Sequence, residues 1–364
     1  MKPRIRSSVG VVVNEGQIEF FKGNIRKSLI VKIDEKVSKL ICSLDGESTV
    51  DEIADKYKMN NYTKKKFLKF LKFLKTNSII VDDLEIKKTK DREIYSRVFS
   101  MLEDYFSSEE KVQMAWNNIK KSKVLVIGIG AVGSWIAANL IQSGVENLIL
   151  MDNDKIEISN LHRQWGYIEE DIGKFKVEVL KKRLLDINEK ANISIVKKML
   201  CEETLNFFDG EKLDLIIDCA DKPTVDQTAI WIGEYCMKKN IPHIIAGGYN
   251  LHVSLIGQTI IPYKTACVKC FEKQLKEQND LDIANMKKLA IAGRKIGSLG
   301  PMCSISSSFS SLEAIKVLTK TITPTNINRR GEFNIYDMDV KYKEYKKLDN
   351  CEWCGKKGKY KKNK

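Results

Sequence analysis

Four continuous apolar runs dominate the second part of the sequence, and a segment of helical pattern follows each of them. The runs, which begin at residues 123, 147, 214 and 241, are KVLVIGIG, NLILMDND, DLIIDCAD and IPHIIAGG. Runs without polar alternation are typical of parallel strands, because helices bury both faces of such a sheet. The sequence therefore predicts an α/β fold with a mostly parallel, Rossmann-like sheet.

The first ninety residues follow a different pattern. Short β-branched and aromatic runs at residues 9–13, 17–21 and 28–33 are separated by Asn/Gly turns, which predicts a small β-hairpin sheet. Three segments of helical spacing come next, and the strand pattern SIIVDD closes them. We predict a winged-helix-like module over residues 1–90 and a second domain over residues 91–364. The third helical segment has an apolar stripe that we expect to face the core of this module, formed by Phe67, Leu68, Leu71 and Leu74.

Composition limits the class of protein. No apolar run approaches the roughly 18–20 residues of a membrane helix, and an odd count of nine cysteines fits a reducing compartment. We therefore expect a cytoplasmic protein without a membrane partner. The net charge of +14 lies largely in the lysine-rich segments 64–75 and 356–364. These are either solvated surfaces or a surface that recruits an acidic peptide or a nucleotide, and no nucleic-acid partner is expected.

A Gly-x-Gly-x-x-Gly turn joins the first apolar run to the next helical segment. Its glycines are Gly128, Gly130 and Gly133, and Asp152 ends the following run. Such a turn lets phosphate approach the backbone at a helix N-terminus, and a carboxylate at the next strand can hold ribose hydroxyls. This pattern predicts a nucleotide site, although a dehydrogenase would show it too.

The residues after the second run distinguish these possibilities. They are the polar side chains Asp154, Asn160, Arg163 and Gln164, followed by Lys174 and Lys176 near a helix start. Hydride transfer has no use for cations around a triphosphate, whereas adenylyl transfer needs them as pyrophosphate leaves. The third run ends in Asp218 and Asp221, and a carboxylate at that position suits magnesium. The sequence therefore favours an ATP-dependent adenylyltransferase.

Two Cys-x-x-Cys pairs lie eighty residues apart. Cys267 and Cys270 form the first pair, and Cys351 and Cys354 form the second. Four thiolates with this spacing are typical of tetrahedral zinc. Because such a site would tie the C-terminal segment to the core, we predict a structural zinc.

Taken together, the motifs GIGAVGS, DNDKIEISNLHRQ, GKFK and DCADK and the cysteine pairs resemble the ThiF/MoeB/HesA family of ubiquitin-activating-type adenylyltransferases, over residues 92–355. The resemblance implies that the three glycines hold phosphates, that Asp152 holds the ribose and that Asp221 binds magnesium. It places Asp154, Asn160, Arg163, Gln164 and Lys176 around the triphosphate. It also implies a homodimer in which Arg97 reaches into the neighbouring subunit's site.

Two further resemblances concern the substrate. The segment LICSLDGESTVDEIADKY, from Leu40 to Tyr57, resembles PqqD-like modules that bind leader peptides as an added strand. Ala220 to Pro223 and the stretch from Ala246 to Cys267 resemble the branch of the family that matures ribosomally made antibiotic peptides. Family members that activate sulfur carriers have Asp-Asn where this sequence has Asp221-Lys222. Cys303 is expected to be a buried small residue rather than a nucleophile.

Three functions remain open at this point. The favoured one is ATP- and magnesium-dependent adenylylation of a carboxyl or amide group in a ribosomally synthesised precursor peptide. In that case AMP either stays on the peptide or leaves as the peptide cyclises. The second is adenylylation of a sulfur-carrier protein that ends in Gly-Gly, of the ThiS or MoaD type. The third is a non-catalytic, nucleotide-dependent peptide-binding regulator.

Overall fold

A computed structural model describes residues 1–14, 16–33, 35–84, 86, 88–250, 253–278 and 297–360. The chain divides into two compact units, Met1–Asn117 and Asn118–Lys364. Within the described residues, no helix combines the length and apolar character needed to cross a membrane.

The part of the first unit that the structure describes combines short strands with six helices. Its strands are β1 (Pro3–Ile5), β2 (Val9–Asn14), β3 (Gln17–Lys22), β4 (Lys27–Lys32) and β5 (Ile80–Asp82). Its helices are α1 (Glu35–Ile41), α2 (Val50–Lys56), α3 (Asn61–Thr76), α4 (Lys90–Ile94), α5 (Ser96–Tyr105) and α6 (Glu109–Lys121), the last of which crosses the division between the units. The order β2-β3-β4 forms one antiparallel sheet and β1 pairs with β5. The predicted hairpin strands are thus confirmed.

The core of this unit forms where β3 meets the helices. Ile18 and Phe20 of β3 are fully buried in one cluster with Phe67, Leu71 and Leu74 of α3. One sequence expectation fails here. Leu68 was expected to face the core but is 47% exposed, because it lies about 100° around the helix from Phe67. The helix α1 ends at Ile41, and Cys42, which follows it, is exposed.

A buried carboxylate explains why the first unit extends past residue 90. Glu103 of α5 is buried and lies 3.3 Å from Arg4 and 3.0 Å from Arg92. Arg4 also pairs with Asp83 at 2.9 Å. These ion pairs join α4 and α5 to the strands at the start of the chain, so the compact unit includes residues that the sequence pattern assigned to the second domain.

The second unit contains the predicted parallel sheet. Its strands are β6 (Lys123–Ile127), β7 (Asn147–Met151), β8 (Asn192–Val196), β9 (Leu215–Asp218), β10 (His243–Ile245), β11 (Tyr249–Asn250), β12 (Val253–Ile256), β13 (Gln258–Ile260), β14 (Arg329–Asn334) and β15 (Asp339–Glu344). Its helices are α7 (Gly133–Gln142), α8 (Lys176–Ile187), α9 (Val225–Lys239), α10 (Val268–Gln278) and α11 (Gly300–Thr319).

The main sheet has the order β13-β10-β9-β6-β7-β8, with β13 antiparallel to an otherwise parallel set. All four apolar runs form strands of this sheet, namely β6, β7, β9 and β10, and the predicted fold class is confirmed. A second sheet has the order β11-β12-β14-β15. Ligands of parallel sheets bind beyond the carboxyl ends of the strands, so the loops after β6, β7 and β9 are the place to look for a site.

The helix α11 packs against the loop after β6 and against α7. Ser307 Oγ donates to the Val132 carbonyl at 2.9 Å, and Asn139 of α7 donates to Ser311 Oγ at 3.2 Å. Small serine side chains allow the two helices to pack closely and supply these bonds. Cys303 of the same helix is fully buried, as expected.

Candidate active site

The turn after β6 rests on backbone contacts that only glycine permits. Gly128 has a φ of +79°, and a Cβ at this residue would lie 2.7 Å from the Cys219 backbone. A Cβ on Gly133 would lie 2.0 Å from the carbonyl oxygen of Gly128. The loop 128–133 (the glycine loop) therefore folds tightly on itself and leads directly into α7. Loops of this kind present backbone N–H groups to phosphate at the N-terminus of a helix.

Asp152 follows β7 directly and braces the glycine loop. Its Oδ2 accepts the Ile129 N–H at 2.9 Å, and its Oδ1 accepts the Asp154 N–H at 2.7 Å. Burial raises the pKa of Asp152 above its ordinary value, and the Lys176 ammonium opposes that change. Each carboxylate oxygen can accept more than one hydrogen bond, so the side chain retains capacity for a further donor.

Asp154 lies between two lysines at the edge of this loop. Lys176 Nζ is 3.0 Å from Asp154 Oδ2, and Lys222 Nζ is 3.2 Å from Oδ1. Although burial opposes its ionisation, the ammonium groups of Lys176 and Lys222 lower the pKa of Asp154. Lys174, the other cation near the start of α8, instead pairs with Asp171 at 3.0 Å.

The segment after β7 is held against the glycine loop. Three hydrogen bonds do this: Trp165 N–H to Ser134 Oγ at 3.0 Å, Trp135 Nε1–H to the Arg163 carbonyl at 3.3 Å, and Tyr167 O–H to the Ile129 carbonyl at 2.9 Å. Burial raises the pKa of Tyr167 well above its ordinary value, so the phenol stays protonated and donates. The residues predicted to surround a triphosphate are thereby brought beside the loop predicted to hold phosphate.

Within this segment, three predicted site residues differ in their bonding. Asn160 is buried, and its Oδ1 accepts the Glu157 N–H at 3.1 Å. Arg163 donates from Nη1 to the Ser159 carbonyl. Gln164 is buried, and its Nε2 lies 3.8 Å from the place where a Cβ on Gly130 would lie.

Two unsatisfied polar atoms lie in this segment. Arg163 Nε and Gln164 Oε1 are both buried without a hydrogen-bond partner among the described residues. Buried polar groups are nearly always paired in folded proteins, so such orphans are unusual. Together with the glycine loop and the two lysines, they fit a polar, anionic ligand such as a nucleotide.

Two carboxylates lie at the carboxyl end of β9, and they differ in burial. Asp218 is fully buried at the end of β9, and its Oδ1 accepts the Ala220 N–H at 3.0 Å. Burial raises the pKa of Asp218 from 3.8 to about 7, and the charge of Asp221 adds to this. Asp221, three residues later, is exposed at the carboxyl end of the sheet.

Not all of the predicted residues gather here. Arg97 lies on α5, in the first compact unit, with an exposed side chain, and its action across a dimer stays a prediction. The sequence interpretation also missed residues that shape the site, chiefly Lys222, Tyr167 and Ser307. The only available signal for Lys222 was the departure from Asp-Asn after β9, and no spacing rule marks the other two.

The two cysteine pairs converge on one buried cluster at the start of α10. The Sγ–Sγ distances are 3.5 Å for Cys267–Cys351, 3.5 Å for Cys270–Cys354 and 3.8 Å for Cys267–Cys270. All four sulfurs lie within 4.8 Å of one another. Tetrahedral zinc with bonds of about 2.3 Å requires S–S separations of about 3.8 Å, whereas a disulfide is about 2.05 Å long. The cluster therefore fits zinc.

Backbone donors complete this cluster. The N–H of Leu348 lies 3.4 Å from Cys270 Sγ, and the N–H of Trp353 lies 3.4 Å from Cys351 Sγ. Hydrogen bonds to the ligand atoms orient metal ligands and stabilise thiolates. Four ligands from the protein leave no open position, as in structural zinc sites.

Comparison with known proteins shows the family of this chain. The ThiF family model matches residues 106–354. The sulfur carrier protein ThiS adenylyltransferase of Escherichia coli is 29% identical over 242 residues, which are 64% of this chain and 86% of that protein. The molybdopterin-synthase adenylyltransferase of E. coli is 27% identical, over 65% of this chain and 88% of that protein.

The fold has a counterpart that also includes the first unit. E. coli MccB, in a crystal structure with AMPCPP and MccA, matches with a TM-score of 0.75 over 97% of this chain and 99% of that one. At 22% identity, this similarity shows the fold. The family model covers more than half of the chain, so the chain belongs to the ThiF family and is an enzyme of the adenylyltransferase class.

Asp218 makes stability depend on pH. Its pKa is about 7 in the folded chain and near 3.8 when exposed, so the unfolded chain loses this proton first as pH rises. Its contribution to stability therefore falls between about pH 4 and pH 7, by at most about 4 kcal/mol. The measurement is the unfolding temperature of Asp218→Asn minus that of the unsubstituted protein. This difference should be more favourable to Asp218→Asn at pH 8 than at pH 5. Exposed Asp186→Asn should show no such change with pH, and an equal effect of Asp218→Asn at both pH values would refute this assignment.

Loss of one thiolate should release the metal. We expect Cys351→Ser to lower bound zinc from about one ion per chain to near zero and to lower the unfolding temperature, because the C-terminal segment is no longer tied to α10. Elemental analysis by mass spectrometry measures the zinc. Cys42→Ser, at an exposed cysteine outside the cluster, is the matched control and should keep its metal. A Cys351→Ser protein with undiminished zinc would contradict the assignment.

Proposed function

We propose that this enzyme uses ATP and magnesium to adenylylate a carboxyl or amide group of a ribosomally synthesised precursor peptide, in the biosynthesis of a peptide antibiotic. The observation that carries the proposal is the buried Lys176 ammonium beside Asp154 and the glycine loop, in a ThiF-family unit that follows a separate sheet-and-helix unit. The first feature supports adenylylation, and the second supports a peptide substrate.

The reaction needs positive charge where phosphate charge changes. A substrate carboxylate oxygen attacks the α-phosphorus of ATP, and the bond to the oxygen bridging to the β-phosphate breaks. Pyrophosphate leaves with that electron pair, and an acyl adenylate remains. An amide oxygen would react in the same way with loss of its N–H proton. Cations stabilise the charge that develops on the leaving pyrophosphate.

The described residues have the chemistry for these tasks. The backbone of the glycine loop would hold phosphates, and the remaining acceptor capacity of Asp152 would take a ribose hydroxyl. Asp221, exposed beyond the carboxyl end of β9, would hold a magnesium ion, which would supply positive charge for the phosphates. The other residues proposed around the triphosphate and the transition state are Asp154, Asn160, Arg163, Gln164 and Lys176.

The first unit has the features of a peptide-binding module. Among the described residues, β2 and β4 each pair only with β3, so their outer edges are available to an added strand. Ile30 of β4 is 57% exposed, and α3 presents a row of exposed lysines that includes Lys65, Lys66, Lys69 and Lys72. An added strand gains main-chain hydrogen bonds at such an edge, and exposed cations favour an acidic segment. We assign the precursor's leader to this module, which we regard as PqqD-like.

The fold counterpart supports the same assignment. E. coli MccB, which shares the fold of both units, has been crystallised with the peptide MccA. In the proposed reaction AMP either stays on the product or leaves as the peptide cyclises. We further propose a homodimer in which the exposed Arg97 completes the partner's site.

A second function is favoured by the names of the curated relatives. Those relatives adenylylate ThiS or serve molybdopterin synthase, which makes a carrier protein ending in Gly-Gly an alternative substrate. The carrier hypothesis gives the first unit no role in substrate binding. The two hypotheses therefore differ in whether the protein binds a short precursor peptide.

The exposed carboxylate after β9 provides the test of the catalytic assignment. We expect Asp221→Ala to lower pyrophosphate release by about 100-fold or more, because magnesium loses its ligand, while precursor binding stays unchanged. Pyrophosphate is measured by a coupled assay, and binding is measured by fluorescence anisotropy with a labelled candidate peptide. Asp186→Ala, an exposed aspartate on α8, is the control and should keep full activity. A fully active Asp221→Ala enzyme would rule out this magnesium site.

A further inference from the structure

An ion pair joins the two loops that lie on either side of the glycine loop. In the sheet, β9 and β7 lie on either side of β6. Lys222, in the loop after β9, pairs with Asp154, in the loop after β7, at 3.2 Å to Oδ1 and 3.4 Å to Oδ2. The pair therefore spans the end of β6, where the glycine loop begins. Nothing in the fold requires this contact, since the strands are already joined by their own hydrogen bonds.

The two lysines on Asp154 are not equivalent. The Lys176 side chain is 7% exposed, and its backbone N–H also donates to the Asp154 carbonyl at 3.1 Å. The Lys222 side chain is 62% exposed. A buried ammonium must keep a partner, whereas an exposed one can exchange partners at little cost. Lys222 is therefore the cation that can move.

The pairing of Asp154 permits such an exchange. Two ammonium groups share its one carboxylate, so Asp154 needs only one of them as a partner. Asp152, Asp154 and Asp221 face the Lys222 ammonium; its hydrogen bond to Asp154 raises the pKa of Lys222, so it is charged at neutral pH. If Lys222 leaves, Asp154 keeps Lys176 as its partner and no buried charge is stranded.

We propose that Lys222 binds the β- and γ-phosphates of ATP by transferring its ammonium group from Asp154 to phosphate oxygens, while Lys176 remains on Asp154. AMP lacks these oxygens, so the contact distinguishes ATP from AMP and holds the pyrophosphate as it leaves. This role rests on the proposed adenylylation site, and it adds a specificity-determining residue to those predicted for that site.

Binding measurements on the full-length, zinc-loaded protein test this role without a peptide. For Lys222→Gln, calorimetric titration should show affinity for the ATP analogue AMPCPP lowered about tenfold or more, the value of a lost charge-assisted hydrogen bond. Affinity for AMP should change less than about twofold. Lys222→Arg, which keeps the charge, should recover part of the AMPCPP affinity.

The control variant is Lys155→Gln, which removes an equal charge from the loop that contains Asp154. Lys155 is exposed and lies over the Phe175 ring, so AMPCPP affinity should stay near that of the unsubstituted protein. Unfolding temperatures of all variants are measured first, to confirm folding. Equal loss of AMPCPP and AMP affinity in Lys222→Gln, or no loss of either, would overturn the role of Lys222. Failure of the unsubstituted protein to bind either nucleotide would overturn the site itself.

Discussion

The close approach of the backbone in the glycine loop is the constraint on which the candidate site depends. The Gly133 Cα lies so near the Gly128 carbonyl that any side chain would collide with it. Gly128 in turn lies against the backbone after β9. This packing fixes the start of α7 relative to three strand ends. The side chains that follow β7 and β9 can converge only because the loop between them occupies so little space.

Electrostatics then shape the site around that loop. Aspartates follow each of the two flanking strands, and they divide into those bound to backbone amides and those left to pair with cations. Asp152 and Asp218 accept backbone N–H groups and brace the loops, and burial raises the pKa of both carboxyl groups. Asp154 and Asp221 stay nearer to solvent. Asp152 and Asp218 therefore hold the loops in place, whereas Asp154 and Asp221 are the carboxylates that a substrate or cation can reach.

Much of this architecture could be predicted from the sequence, and the reasons are physical. Uninterrupted apolar runs require burial on both faces, so β6, β7, β9 and β10 followed from the pattern. Glycines at three fixed positions, and two Cys-x-x-Cys pairs, have few structural interpretations. The predicted extent of the first domain was shorter than the compact unit because Glu103 and its arginine partners make contacts between distant segments, which periodicity does not record. Lys222 escaped prediction for the same reason, since its partner Asp154 is 68 residues away in sequence. Leu68 shows the converse limit: an apolar residue in a helical stripe can still lie on its exposed edge.

We propose that this ThiF-family enzyme activates a precursor peptide with ATP. The test combines pyrophosphate release with mass spectrometry of a candidate short precursor peptide, incubated with the enzyme, ATP and magnesium. We expect release that depends on the peptide, with a product that has gained one AMP or has lost one water. Turnover with a carrier protein ending in Gly-Gly, and none with the peptide, would contradict the account.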